Sequence, residues 1–400
     1  MTPGARVQAA VELLDEIIIA ARDGGAAADT LIARYFKARR YAGSKDRRAV
    51  RDLVYRAIRR SGDRPMSGRH AMVGLAREDA ELRALFDGKT PHGPEPIAPK
   101  EKGASASPLP GWLAEKLGGS LTAPEQAALL ERAPLDLRVN RRLTDRDTVL
   151  AMLPDAVLSV HAPHGIRLPE GAAVEATEAW KNGLVEIQDE GSQLIALAAK
   201  ARPGMTVLDL CAGAGGKTLA IADDMAGADG FDGGLLIATD TDRGRLSRLA
   251  PRAERAGLTS VETRLLDPDK EMRTLDDLQS KCDVVLVDAP CSGTGTWRRN
   301  PEARWRLSPD RLARLTALQG RLLDMAATLV KPGGALVYAV CSVLDDEGAK
   351  QVADFLARTP GFRPEKNLFT TGRHRGPGTL LSPLADGTDG FFVARLIATC

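Results

Sequence analysis

Two segments of this 400-residue sequence run an apolar, strand-like stretch directly into Cys-Ser: "DAPCSGTGTWRRNPE" (288–302) and "VYAVCSVLDDEG" (337–348). A single cysteine reads as a small buried hydrophobe. Two at matching strand ends, one of them three residues after Asp288, read instead as a pair of thiols, Cys291 and Cys341, at the edge of a binding site. A thiolate is an effective covalent catalyst. A second ionisable group beside it can remove a proton and help expel it afterwards. The spacing does not say which cysteine takes which part.

A third segment, "VLDLCAGAGGKTLAIA" (207–222), has the pattern strand, acid, glycine-rich turn, helix. The position where a triphosphate-binding loop places its first glycine holds Cys211, and the third glycine of a dinucleotide fingerprint is replaced by Thr218. What remains is a turn that lets the backbone approach a ligand, followed by the free N–H groups of a helix start. Asp240 closes the next strand, where an acid hydrogen-bonds a ribose diol, and Asp267 closes the one after, where an adenine ring would lie. Asp240 is farther from Gly213 than the usual ~20 residues, and "GADGFDGG" (227–234) reads as a loop insertion that accounts for the excess. A nucleoside without pyrophosphate fits this set, S-adenosylmethionine being the common example. Beside such a cofactor, paired thiols suit methylation of cytosine. Carbon 5 of that ring is too weak a nucleophile until a thiolate adds at carbon 6 and makes it an enamine. Asp288 could support the addition by hydrogen-bonding the ring's nitrogen edge.

The elements that must position these groups follow from periodicity. From about Trp180 onward, apolar strands at 206–213, 235–240, 261–267, 282–290 and 334–342 alternate with helical patterns, which predicts an α/β, doubly wound Rossmann-like sheet with function at the carboxyl ends of its strands. In such a sheet the fourth and fifth strands are neighbours, so Cys291 and Cys341 would emerge side by side. Residues 1–87 carry apolar side chains at helical spacing (Val7, Val11, Leu14, Ile18; Leu31, Tyr35; Val50, Leu53, Val54, Ala57, Ile58) and are expected to be an all-helical domain. Residues 88–110, dense in Pro, Gly and Ser, read as a linker. Residues 111–175 read as a small α+β module with strands near 135–140 and 165–169, and 176–400 as the catalytic domain.

Composition agrees with a globular chain: 44% of residues are hydrophobic and 27% charged, with a net charge of +2. That small net charge hides a basic stretch, since residues 34–60 hold 11 Lys/Arg against Asp46 and Asp52, a surface suited either to a polyanion or to plain solvation. Arg298, Arg299, Arg304, Arg306, Arg311 and Arg314 form a second cationic run directly after the Cys291 motif, open to the same two readings. No stretch reaches the roughly 18 apolar residues of a membrane span and no leader pattern precedes the first helix, so a cytoplasmic location is expected. The five cysteines (Cys211, Cys282, Cys291, Cys341, Cys400) form no CxxC pair, and His161, His164 and His374 have no ligand spacing. Neither disulfide scaffolding nor a metal is expected.

The segments "DLCAGAGGKT", "DAPCSGTG" and "VYAVCS" resemble the signature segments of the RNA cytosine-5 methyltransferases of the RsmB/NOL1/NOP2 type, and "DGFFVARL" (389–396) resembles their C-terminal strand. The resemblance spans about Leu135 to Leu396. The helical region with "RYAGSKDRRAVRDLVYRAIRR" (40–60) is similar to the NusB-like RNA-binding module of the bacterial ribosomal RNA small subunit methyltransferase B branch. The resemblance implies that Cys341 is the nucleophile and Cys291 the cysteine of product release. It also implies that Cys211, Ala212, Gly213, Ala214, Gly215, Gly216, Lys217, Asp240, Asp267 and Asp288 contact S-adenosylmethionine. Many members have Ala-Pro where this chain has Gly213-Ala214, a difference that alters the stiffness of the turn. The implied reaction is methylation of a cytosine in structured RNA, small-subunit (16S) ribosomal RNA being the expected substrate; the sequence does not disclose the oligomeric state, a monomer being the default expectation. RNA held through phosphates would bind less tightly as salt rises. The same reaction on transfer RNA, and a non-catalytic RNA-binding assembly factor, are the alternatives. Paired thiols at a cofactor edge argue against the last.

Overall fold

The computed structural model describes residues 1–169, 171–227, 230, 231 and 234–399. It falls into two units, Met1–Glu131 with Thr296–Pro309, and Arg132–Gly295 with Asp310–Cys400. Cys400 lies outside the described residues, as does the centre of the expected 227–234 insertion; the flanks of that insertion form a short antiparallel pair, Ala226–Gly227 with Gly230–Phe231.

The first unit is helical: α1 (Pro3–Asp23), α2 (Ala28–Ala38), α3 (Ser44–Arg60), α4 (Gly68–Ala76), α5 (Ala80–Ala84), α6 (Gly111–Gly118) and α7 (Ala123–Ala128). Helix α1 starts where the Thr2 hydroxyl accepts from the Ala5 N–H and Pro3 needs no donor, and it stops at Gly24 in the left-handed conformation (φ 76°). Every apolar residue expected to face this core is buried except Leu53, which is partly covered. Each large aliphatic among them contributes roughly 1.5–3 kcal/mol by leaving water.

Residues 88–110 do not behave as a linker. Ser61 and Ser107 form a parallel bridge, the Ala104 N–H donates to the His70 carbonyl (2.8 Å), and Arg69 grips Glu101 through two hydrogen bonds (2.7 and 2.9 Å). Main-chain pairing of this kind leaves no apolar period to read. The helices at 111–128 also belong to this unit and not to the α+β module.

The segment 296–309 supplies the first unit with charges at two helix ends. Arg304 is fully buried and donates to the carbonyls of Ile58 and Arg59 in the last turn of α3 and of Ser61 just beyond it. Glu302 accepts from the Ala28 N–H (3.0 Å) at the start of α2, which has no cap of its own. Both signs suit the helix dipoles. Trp305 enters the core, its indole N–H on the Ser61 carbonyl (2.7 Å), and Arg306 donates to the carbonyls of Gly25 and Ala26 (2.7 Å each). Half of the second arginine run is therefore structural: Arg298 and Arg304 are buried and Arg306 is spent on carbonyls, whereas Arg311 and Arg314 are exposed. Burial pulls the Arg304 pKa down to about 9, which still leaves it charged at neutral pH. Arg304→Ala is expected to destabilise this unit by about 3 kcal/mol, because a cavity replaces the side chain and the carbonyls at the end of α3 lose a donor; thermal or denaturant unfolding measures it.

The second unit opens with a four-stranded antiparallel sheet of order β2-β3-β1-β4, made from β1 (Leu135–Val139), β2 (Val157–Leu158), β3 (Gly165–Leu168) and β4 (Val185–Ile187). Strand β4 carries this small sheet past the expected boundary at 175, because Val185 to Ile187 pair with β1. The larger sheet holds β5 (Thr206–Asp209), then, with the short pair above counted as β6 and β7, β8 (Leu235–Asp240), β9 (Val261–Leu265), β10 (Cys282–Asp288), β11 (Val330–Val340), β12 (Phe362–Pro364), β13 (Arg373–Arg375), β14 (Gly378–Leu381) and β15 (Phe391–Ala398). Its parallel part runs β9-β8-β5-β10-β11, and β15 joins antiparallel to β11. All five expected parallel strands are present. The order reverses between β5 and β10, and that switch point is where open α/β sheets bind ligands.

Candidate active site

Strand β5 ends at Asp209, which is 1% exposed. The Thr218 hydroxyl donates to its Oδ2 (2.7 Å), and Oδ1 has no partner among the described residues. Burial, with the nearby charges of Asp288 and Asp240, raises its pKa from 3.8 to about 7 against the pull of Thr218. An acid whose pKa rises on folding keeps its proton longer in the folded state, so between pH ~4 and ~7 stability falls as pH rises, by about 4 kcal/mol in total. Asp209→Asn keeps an acceptor for Thr218 and is expected to flatten this slope, so that its melting temperature changes less between pH 5 and pH 8 than that of the wild type.

The turn after Asp209 is held by its own backbone. Ala212 N–H donates to the Thr239 carbonyl (2.8 Å), Gly213 N–H to Asp240 Oδ2 (2.8 Å) and Gly215 N–H to the Ala212 carbonyl (2.9 Å). Gly215 has φ 83°, and a Cβ there would meet the Leu249 side chain at 2.6 Å, so glycine is required. Ala214 is fastened from outside the turn. Arg252 donates to its carbonyl (2.7 Å) while its other nitrogen pairs with buried Glu186 (2.9 Å). The helix Gly216–Met225 then starts with its positive end at the turn.

Beside the turn lies a cavity of about 220 Å³, lined by Leu210, Cys211, Asp240, Thr241, Leu266, Pro268, Asp269, Glu271, Pro290, Leu318, Arg321, Leu322 and Met325. Leu210, Leu266, Leu318, Leu322 and Met325 give the lining apolar surface and Asp240, Thr241 and Glu271 give it polar groups, a mixture suited to a flat heterocycle with a polar sugar. Asp240 already accepts from the Gly213 and Asp242 N–H groups (2.8 and 2.7 Å), and its remaining lone pairs can accept from a diol. Asp267 does not line the cavity; its side chain is exposed, between the lining residues Leu266 and Pro268. Glu271, held by Arg321 through two 2.9 Å hydrogen bonds, does line it, and no motif in the sequence points to either residue.

The register Asp288↔Ala339 between β10 and β11 brings the two Cys-Ser turns together. The sulfurs of Cys291 and Cys341 are 3.3 Å apart. Their hydrogen bond and burial, with the charge of Cys341 and then Glu347, hold the Cys291 thiol well above its ordinary range, and either sulfur can donate in the contact between them. Cys211 is also pushed well up, by burial and then by Asp209, which leaves it unreactive. Lys217 reaches Asp288 (2.6 Å). Burial opposes the charge on Lys217, but Asp288, with smaller contributions from Cys341 and Asp209, raises its pKa. An ammonium group thus stands in the field of the Cys341 sulfur.

Sequence reasoning missed one residue of this centre. Glu347 is fully buried and accepts hydrogen bonds from both serines that follow the cysteines. In "LDDEG", Asp345 pairs with Arg375, Asp346 is half-buried and Glu347 turns inward. Three consecutive acids carry no period that would single it out.

Residues 196–397 match the family model described as 16S rRNA methyltransferase RsmB/F. The chain is 37% identical to ribosomal RNA small subunit methyltransferase B of Salmonella arizonae and 36% identical to that of Salmonella paratyphi B, in each case over 295 residues that cover 72% of this chain. The chain spans 66% of the length of these relatives, just under two thirds. Among solved structures it is similar to PH0851 (TM-score 0.77, 22% identity, 99% of both chains). It is also similar to NSun6 from Pyrococcus horikoshii with SFG (TM-score 0.63, 18% identity, 73% of this chain and 98% of that one). These likenesses show the fold.

Proposed function

Since the chain belongs to the 16S rRNA methyltransferase RsmB/F family, whose cofactor is S-adenosylmethionine, we propose that it methylates carbon 5 of a cytosine in RNA, with small-subunit ribosomal RNA as substrate and the cytoplasm as location. The observation that carries this reading is the 3.3 Å approach of two sulfurs at neighbouring strand ends beside the nucleoside-sized cavity.

The cofactor supplies an electrophilic methyl group; the glycine turn, Asp240 and the cavity wall would hold it. The remaining work falls to side chains. The target base must leave its stack to reach them. Cys341 adds as thiolate to carbon 6, forming an S–C bond and pushing the ring's double-bond electrons toward carbon 5, with Lys217 favouring the anionic sulfur. Asp288 accepts a hydrogen bond from the amino group on the ring's nitrogen edge and so orients the base for the addition. Once carbon 5 carries its new methyl group, its proton passes to a base such as solvent water, the electrons of that C–H bond restore the C5–C6 double bond, and the C–S bond breaks with Cys341 departing as thiolate. Cys291, protonated and in contact with the departing sulfur, is placed to assist that release. In the helical unit, Arg34, Lys37, Arg40, Lys45 and Arg48 are exposed, whereas Arg51, Arg56 and Arg60 are paired with Asp29, Asp79 and Glu78. The exposed set would hold RNA phosphates in the manner of a NusB-like module.

Bisulfite mapping tests the reading. RNA from cells lacking the protein is expected to lose 5-methylcytosine at one position of the small-subunit RNA, and the purified chain with S-adenosylmethionine to restore it. Methyl incorporation at a base other than cytosine, or into transfer RNA alone, would replace the proposal.

A further inference from the structure

We propose that Glu347 is a positioning residue that sets the distance between the two thiols, an assignment that rests on reading Cys341 as nucleophile and Cys291 as its releasing partner. Its carboxylate is wholly enclosed and accepts at Oε1 from the Ser292 N–H (2.8 Å) and the Gln319 amide (3.0 Å). At Oε2 it accepts from the Ser342 hydroxyl (2.5 Å) and the Ser292 hydroxyl. Four donors occupy the four lone-pair directions of one carboxylate, and among the described residues no cation pairs with it. Each serine is the residue directly after a cysteine. One anion therefore ties together two chain segments whose cysteines are 50 residues apart. Thr294 adds a cross-tie, its hydroxyl on the Ser342 hydroxyl (3.0 Å) and accepting from the Val343 N–H (3.0 Å).

The carboxylate cannot drift, because its own backbone is anchored. The Tyr338 hydroxyl, buried in β11, donates to the Glu347 carbonyl (2.6 Å). The residue after it, Gly348, packs against Phe392 so closely that a Cβ would lie 2.6 Å from the ring. A buried anion held only by neutral donors is costly unless every donor stays in place. That condition makes Glu347 a stiff link: displacing either serine leaves a charged oxygen short of a partner. Beta strands alone set the thiols at the ends of adjacent strands, and the carboxylate sets their separation.

Glu347→Gln is isosteric and can fold, but its amide nitrogen cannot accept, so one pair of donors loses its acceptor. Glu347→Ala removes both acceptor oxygens and leaves all four donors without them. A trivalent arsenical such as phenylarsine oxide bridges two sulfurs only when they lie in contact, and excess 2-mercaptoethanol strips it from single thiols such as Cys211 and Cys282. Under those conditions the wild type is expected to retain the arsenical and Cys341→Ala to lose it. Glu347→Gln should hold it at least ~10-fold more weakly, because the second bond is no longer intramolecular at the right distance. The methylation kcat of Glu347→Gln is expected to fall roughly 10²-fold, with S-adenosylmethionine affinity unchanged. Wild-type arsenical retention by the Gln and Ala variants, or an unchanged kcat, overturns the positioning role. Arsenical capture by a wild-type chain that methylates no cytosine would sink the functional reading and leave the geometric one intact.

Discussion

Cys341→Ala is expected to abolish methyl transfer, lowering kcat by ~10⁴-fold or more, the scale seen when a covalent nucleophile is removed, while binding of S-adenosylmethionine is retained. The thiolate is what turns carbon 5 of cytosine into a nucleophile, and no other group in the site can replace it. The Cys291 thiol beside it is held well above its ordinary range, the half-buried Cys211 is likewise pushed well up, and Lys217 is bound to Asp288. Cofactor affinity should persist because the cavity lining and the glycine turn do not include residue 341. The comparison needs a filter-binding assay of tritiated methyl incorporation and calorimetry of the cofactor on the same preparations. Full activity in the variant would show that the nucleophile lies elsewhere.

Cys291→Ala is expected to stop the reaction one step later. Addition through Cys341 and methylation of carbon 5 do not require the neighbouring thiol, so the chain should proceed to a methylated ring bonded to sulfur and remain there. A denaturing gel then shows a protein band retarded by RNA, resistant to heat and detergent and removed by ribonuclease. Multiple-turnover rate should drop by ~10²-fold or more, the range for losing a proton-transferring group. The double variant with Cys341→Ala should show no retarded band, which ties the bond to Cys341. If Cys291→Ala released product at the wild-type rate, the 3.3 Å contact would be structural only.

These outcomes concern residues that were legible in the sequence, and the reason is local. A strand ending in a small or polar residue, a glycine turn and a helix start are written in fewer than twenty consecutive positions, and alternation of strands and helices follows from side-chain period alone. Cys211 to Lys217, Asp240, Asp288, Cys291 and Cys341 could be named for that reason, and β5, β8, β9, β10 and β11 lie within a few residues of where the patterns placed them. The adjacency of the two cysteines was an inference from sheet topology. It depended on β10 and β11 being neighbours, as they are.

What only the tertiary structure decided are contacts between distant positions that leave no local trace. Residues 88–110 look structureless because their partners are main-chain groups of α3 and α4 and not an apolar stripe. Arg304 looks like one of six surface arginines, yet it is buried because the free carbonyls at the end of α3 need donors that their own helix cannot give. Glu347 looks like the third acid of a solvated loop, yet its four donors come from Ser292, Gln319 and Ser342. Asp267, by contrast, had the right position in the pattern, yet it is exposed and is not among the residues that line the cavity, which include Glu271 and Arg321. Periodicity reports which face of an element avoids water; it carries no information about which orphaned hydrogen-bonding group a polar side chain will meet, and that pairing is set by chain closure in three dimensions.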